Sequence, residues 1–167
     1  MTLEGPVKRM FDKLATDYFD PAKGHCNRGH DANHLLRLLA MRHVLWGDIV
    51  EAEPEVAPLE LLLDFVILFH DLDRSRGLDG KENAVRRRSI AGGLMRDHGV
   101  EEEVVFEVLL AIETKHLPTG HADKSTLARL VDDIDKADMG AIGIYRAIAH
   151  GLWSGHPLYR NVREFDF

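Results

Sequence analysis

Between Leu61 and Phe69 every residue except Asp64 is apolar, and the run ends on His70-Asp71 ahead of a polar, Gly-containing segment. A helix that is hydrophobic all round belongs in the middle of a fold. This one carries an imidazole and a carboxylate at its C-terminal end. Both cost free energy to bury unless a metal ion or hydrogen-bond partners compensate them. The doublet therefore predicts a metal site at the end of a central helix, with further ligands supplied by other parts of the chain.

Around that helix the apolar spacing is helical throughout, with no sustained β alternation and no internal repeat. The expected fold is all-α, a bundle of about seven helices forming a single domain over residues 1–167. The first helix runs over Pro6–Phe19 and the second over His30–Ile49, where Leu35, Leu38, Leu39, Arg42 and Leu45 trace its rows. Residues 51–58 are a connection and the third helix covers Leu59–Leu72. A surface loop, Arg74–Lys81, leads into a fourth helix over Glu82–Asp97, stopped by Gly99. His98 is placed to cap its C-terminus. A fifth helix spans Glu101–Thr114, a sixth starts at the N-cap Ser125 and runs toward Asp138, and a last stretch covers Ala141–Trp153.

Composition narrows the chemistry. A formal net charge of −7 gives no broad basic surface for a nucleic-acid polymer. No apolar stretch reaches the roughly 20 residues of a membrane span, and no secretion signal opens the chain. The single cysteine, Cys26, rules out an intramolecular disulfide and fits a reducing compartment, so a cytoplasmic protein is expected. A homodimer is compatible with this composition.

Two segments can complete the site. In His30-Asp31-Ala32-Asn33-His34 the histidines stand four apart, a spacing that lets two imidazoles share a metal on one helix face. It is similar to the zinc-protease helix His-Glu-x-x-His, with Asp one carbon shorter than Glu. The preferred reading uses His34 alone, because the apolar residues after it place it on the core side. The other segment, Asp132 to Asp138, holds four carboxylates in seven residues of an otherwise apolar helix, expensive unless something cationic faces them. Asp135 falls nearest the apolar stripe, Asp132 and Asp133 can be solvated, and Asp138, at the helix end, is the alternative to Asp135 as the last ligand.

One His, then His-Asp, then Asp, in this order, resembles the HD superfamily of metal-dependent phosphohydrolases. The likeness extends from about Tyr18 to Arg146. It is carried by His30–Leu35, Phe69-His70-Asp71, Glu82-Asn83 with Ser89-Ile90-Ala91, Ile112–His116 and Asp133–Gly140. Gly29, Ile90 and Asp138 depart from the pattern of the group it looks most like, and these departures bear on the substrate more than on the metal.

The resemblance implies His34, His70, Asp71 and Asp135 as ligands of a divalent ion: Mn, Fe, Co, Ni, Mg or Zn, one ion or two. Two neutral imidazoles and two carboxylates would balance its charge and leave coordination positions for water and a phosphoryl oxygen. It further implies a small phosphorylated substrate, such as a nucleotide, cleaved by metal-activated water. Asp71, His116 and Glu82 are the candidates for the catalytic machinery. His116 would contact phosphate or a second metal, with His121 able to join it, and Glu82 would position water or ligate that second metal. His30, Arg74, Lys81 and Lys115 are the candidates for holding substrate; Lys136 and the run Arg86-Arg87-Arg88 offer further cations. Two other functions fit the same residues: a regulatory module that holds a nucleotide without turning it over, and a di-iron oxygenase. A metal-free helical bundle would leave Asp135 unexplained.

Overall fold

The computed structural model describes residues 5–19, 31–72, 80–115 and 124–138, with the backbone alone for 80–83. These residues form six α-helices and one 3-10 helix, and no strand occurs among them. They are α1 (Gly5–Asp17), α2 (Ala32–Ala52), the 3-10 helix Pro54–Leu59, α3 (Glu60–Phe69), α4 (Gly80–Asp97), α5 (Glu102–Lys115) and α6 (Thr126–Ala137). The expected all-α class holds. The stretch expected to be helical over 141–153 lies outside the described residues. No described helix is long and apolar enough to cross a membrane.

α3 is the axis. It packs against α1, α2, α5, α6 and the 3-10 helix, and its last seven residues, Leu63 to Phe69, are all buried. α4 is held at one remove, through α5. Full burial of side chains such as Phe65, Ile67, Leu68 and Phe69 contributes roughly 1.5–3 kcal/mol each before ordering costs. Met10 and Leu14 of α1, Leu35, Leu38 and Leu39 of α2, and Val105, Val108 and Ile112 of α5 close around it.

Asp64, the polar break in the α3 run, faces α2. Arg42 donates from Nε to its Oδ1 at 2.7 Å and from Nη2 to its Oδ2 at 2.5 Å, and its Nη1 reaches Glu60 Oε1 at 2.6 Å. Arg42 sits on the same row of α2 as the buried Leu35, Leu38 and Leu39, so the apolar row ends in a paired guanidinium.

The helix ends follow their local chemistry. Asp31 caps α2 by accepting from the backbone N–H of His34 at 2.9 Å, and Ser125 caps α6 by accepting from Ala128 N–H. α4 closes in a Schellman turn: Gly99, at φ 74°, donates to Arg96 O, and Val100 donates to Met95 O. His98 Nδ1 donates to Leu94 O at 2.8 Å, the capping role expected of it.

α1 ends at Asp17 rather than Phe19 and α2 runs on to Ala52 rather than Ile49, and three further boundaries differ from expectation. The connection after α2 holds a 3-10 turn with Pro54 in its first turn. Gly80 and Lys81, expected in a loop, belong to α4. α3 stops at Phe69 rather than Leu72, with His70 to Leu72 following as a turn. His70 Nδ1 donates to Ile67 O at 2.8 Å and so competes for the carbonyl that Asp71 N–H would take in a continued helix.

Candidate metal centre

α2, the end of α3 and α6 bring four of the nominated side chains to one point. His34 and His70 are fully buried, and their rings meet edge to face with centroids 5.4 Å apart. His34 Nε2 lies 3.6 Å from Asp71 Oδ2 and 3.4 Å from Asp135 Oδ1. His70 Nε2 lies 3.1 Å from Asp71 Oδ2 and 4.0 Å from Asp135 Oδ2. His34, His70 and Asp135 each present one ligand atom, and these atoms all lie within 4.8 Å of one another.

These spacings suit a shared cation. Donors at about 2.1 Å from one ion stand about 3.0 Å apart at right angles and about 3.4 Å apart at tetrahedral angles. The four imidazole–carboxylate separations here are 3.1–4.0 Å, so binding an ion needs the wider-set donors, which lie within 4.8 Å, to draw in slightly.

Both imidazoles are oriented from behind. His70 Nδ1–H donates to the Ile67 carbonyl, which can only accept, so the lone pair of the neutral ring is on Nε2. His34 Nδ1 lies 3.0 Å from Asp138 Oδ2, and donation to that carboxylate likewise leaves its lone pair on Nε2. Both Nε2 atoms then face the point shared with Asp71 and Asp135. Hydrogen bonding of the remote ring nitrogen is how metal-binding histidines are held in tautomer and orientation.

The charges favour ligation. Burial pushes His70 below the ordinary histidine range, against the opposing pull of Asp71, so it stays neutral. Burial alone would raise the Asp135 carboxyl, yet the Lys115 ammonium facing it holds it below the usual carboxylate range. Lys115, at the end of α5, is itself buried and donates from Nζ to Asp135 Oδ2 at 2.9 Å. That leaves Oδ1 of Asp135 turned toward His34.

The depressed His70 sets a pH dependence for the metal-free protein. Below about pH 6.5 the unfolded chain takes up a proton at this histidine that the folded chain refuses, so stability falls as pH drops through 6.5 toward the lowered native value. The slope from this one proton approaches about 1.4 kcal/mol per pH unit. Asp135 adds a loss only lower, as pH falls through the carboxylate range. Denaturant unfolding in EDTA from pH 8 to pH 5 should show the decline, and His70→Gln should flatten it; a decline as steep in His70→Gln would assign it elsewhere.

The other nominated residues divide. Lys115 joins the cluster. His116, His30, Arg74 and His121 lie outside the described residues, and Lys81 and Glu82 are described only as backbone in the first turn of α4. Within the arginine run, Arg88 pairs with Glu113 on the surface, while Arg87 is buried with Nε 3.4 Å from the carbonyl of Leu72, next to the doublet. The zinc-protease-like reading of residues 30–34 needed Asp31 near a metal. α2 begins at Ala32, and Asp31 serves as its cap. Asp132 is half-buried and bridges Lys124 and Lys136, each at 3.0 Å, away from the cluster.

One residue of the site, Arg37, escaped the sequence reading, and Asp138, weighed there against Asp135 as the last ligand, stands behind His34 instead. Arg37 donates from Nε to Asp138 Oδ1 at 3.0 Å and from Nη2 to Asp138 Oδ2 at 3.3 Å. The available signal was a spacing of three, repeated: His34 with Arg37 on α2, and Asp135 with Asp138 on α6, each pair on one helix face. Compared with protein-family models, with curated proteins and with solved structures, the chain matches none.

Proposed function

We propose that this chain is a divalent-metal-dependent phosphohydrolase of the HD type that cleaves a small phosphate ester, a nucleotide being the class to test first. The observation that carries this reading is the convergence of His34 Nε2, His70 Nε2, Asp71 and Asp135 inside a helical core, with the Lys115 ammonium at its edge. A buried group of this kind is costly without a cation to share, and its donor set of two imidazoles and two carboxylates matches a divalent ion in charge.

A bound divalent ion would lower the pKa of water to near neutrality and polarise a phosphoryl oxygen. The chain supplies the rest. His34 and His70 present their Nε2 atoms, with the rings oriented by Asp138 and Ile67 O. Asp71 and Asp135 supply the negative charge, and Lys115 is placed to attract a phosphate entering beside Asp135. With His34, His70 and Asp71 buried, these electrostatic contacts are stronger than they would be in water.

The test is phosphate release from a panel of nucleotides and simple phosphomonoesters by metal-stripped protein, with Mn, Co, Ni, Mg, Fe or Zn added back. Activity that appears with metal, disappears with chelator and is absent in Asp71→Ala is the expected result. No release across the panel would overturn the reading, and nucleotide binding without release would favour the regulatory module instead.

A further inference from the structure

We propose that Asp138 is a positioning residue that selects the metal-binding tautomer of His34, and that Arg37 fixes which face of Asp138 the imidazole meets. This rests on the metal-centre reading of His34. The side chains of His34 and Asp138 are 0% and 4% exposed, and Asp138 is the C-cap of another helix, α6. Asp138 Oδ2 receives both His34 Nδ1–H at 3.0 Å and Arg37 Nη2 at 3.3 Å, while Oδ1 receives Arg37 Nε at 3.0 Å. A guanidinium only donates, so Arg37 demands acceptors at both positions. Only a carboxylate can satisfy it and still accept from His34.

The consequence is an asymmetric response to Asp138→Asn. The amide has one acceptor oxygen. Placing its NH2 group against Arg37 Nε would oppose two donors across the shorter contact, 3.0 Å, whereas placing it on the His34 side opposes only Nη2 at 3.3 Å. Arginine cannot change its pattern, but a neutral imidazole can. The Asn oxygen therefore stays with Arg37 Nε, its NH2 donates to His34 Nδ1, and the His34 proton moves to Nε2, where it blocks the lone pair that faced Asp71 and Asp135. A carboxylate-to-amide change behind a functional histidine acts through this wrong tautomer. Removing Arg37 as well frees the amide to turn, so Arg37→Met should rescue Asp138→Asn.

The experiment has two readouts. Long-range 1H–15N correlation spectra of metal-free, 15N-histidine-labelled protein at pH 8 should show His34 protonated on Nδ1 in the wild type, on Nε2 in Asp138→Asn, and on Nδ1 again in Arg37→Met/Asp138→Asn. Co(II) titration should show affinity falling about 10- to 100-fold in Asp138→Asn, and most of the loss recovered in the double variant. An Nε2–H His34 in the wild type, or a double variant no better than Asp138→Asn in either readout, overturns the proposal. If Asp138→Asn does not fold, the wild type and the double variant, which removes the Arg37–Asp138 ion pair as a whole, still decide it. Failure of the wild type to bind Co(II) while the tautomers follow the predicted pattern would remove the metal-centre reading and leave Asp138 in control of His34.

Discussion

Arg42→Met should destabilise the protein by about 3–5 kcal/mol, the range for removing one partner of a buried ion pair. Arg42 is 7% exposed and supplies both oxygens of Asp64 and one of Glu60. Without it, Asp64 is left 7% exposed in the α2–α3 contact with a carboxyl that burial already drives above the usual carboxylate range. The variant can relieve part of the penalty by protonating Asp64. A raised native value means that the folded state binds this proton before the unfolded chain does, so the Arg42→Met deficit should be largest at neutral pH and shrink as pH falls through that raised value. Arg42→Met combined with Asp64→Leu removes both charges at similar volume, and stability should return to within about 1 kcal/mol of the wild type or exceed it. Denaturant midpoints for the two singles and the double close the cycle. A single-variant loss under about 1 kcal/mol would show the pair to be solvated. Asp64 precedes His70 by six residues, about 9 Å along a helix axis, so the double variant should keep its Co(II) affinity.

What the sequence disclosed followed from periodicity and from cost. α3 was legible because a run with one polar break cannot be an exposed helix, and its ending on His70-Asp71 marked the place where burial needed compensation. His34 and Asp135 were legible for a related reason: each is a polar group on an apolar stripe, and the structure brings both to the doublet. Choosing between Asp135 and Asp138 was beyond spacing alone, since both stand on one face of α6. The structure turns Asp135 toward the two Nε2 atoms and puts Asp138 behind His34, on its Nδ1.

The remaining misses have a common cause. Arg42 lay in plain view on the α2 row that buries Leu35, Leu38 and Leu39, and Asp64 lay inside the α3 run. Pairing them requires knowing that the two rows face each other, which is tertiary information. Arg37 and Asp138 are the same case at the site. The α3 boundary was misplaced because a side-chain hydrogen bond, His70 Nδ1 to Ile67 O, competes with the helix ladder there, and no propensity or period records such competition.

Asp135→Ala and Lys115→Met, two truncations of one ion pair, should move metal affinity in opposite directions. Were the 2.9 Å contact simply structural, losing either partner would have the same sign. At a metal centre the partners compete: Lys115 neutralises the carboxylate that a cation needs. Two unit charges about 4 Å apart interact by about 4 kcal/mol at an effective dielectric constant of 20, and the partial exposure of Asp135 reduces that to the order of 1–2 kcal/mol. Lys115→Met should therefore bind Co(II) or Mn(II) about tenfold more tightly. Its metal-free form should be less stable by about 2 kcal/mol, because Asp71 and Asp135 then share a buried site with no permanent cation, and metal should restore more stability to it than to the wild type. Asp135→Ala removes a donor outright, and at any fixed metal concentration phosphate release should fall about a thousandfold, about 4 kcal/mol of transition-state stabilisation. Turnover separates the residues once more. With metal saturating, Lys115→Met should still lose substrate affinity, raising KM, because the ammonium beside Asp135 is gone. Metal titrations of the two variants decide the matter: weakened binding in both would make Lys115–Asp135 a structural pair and take Lys115 out of the site.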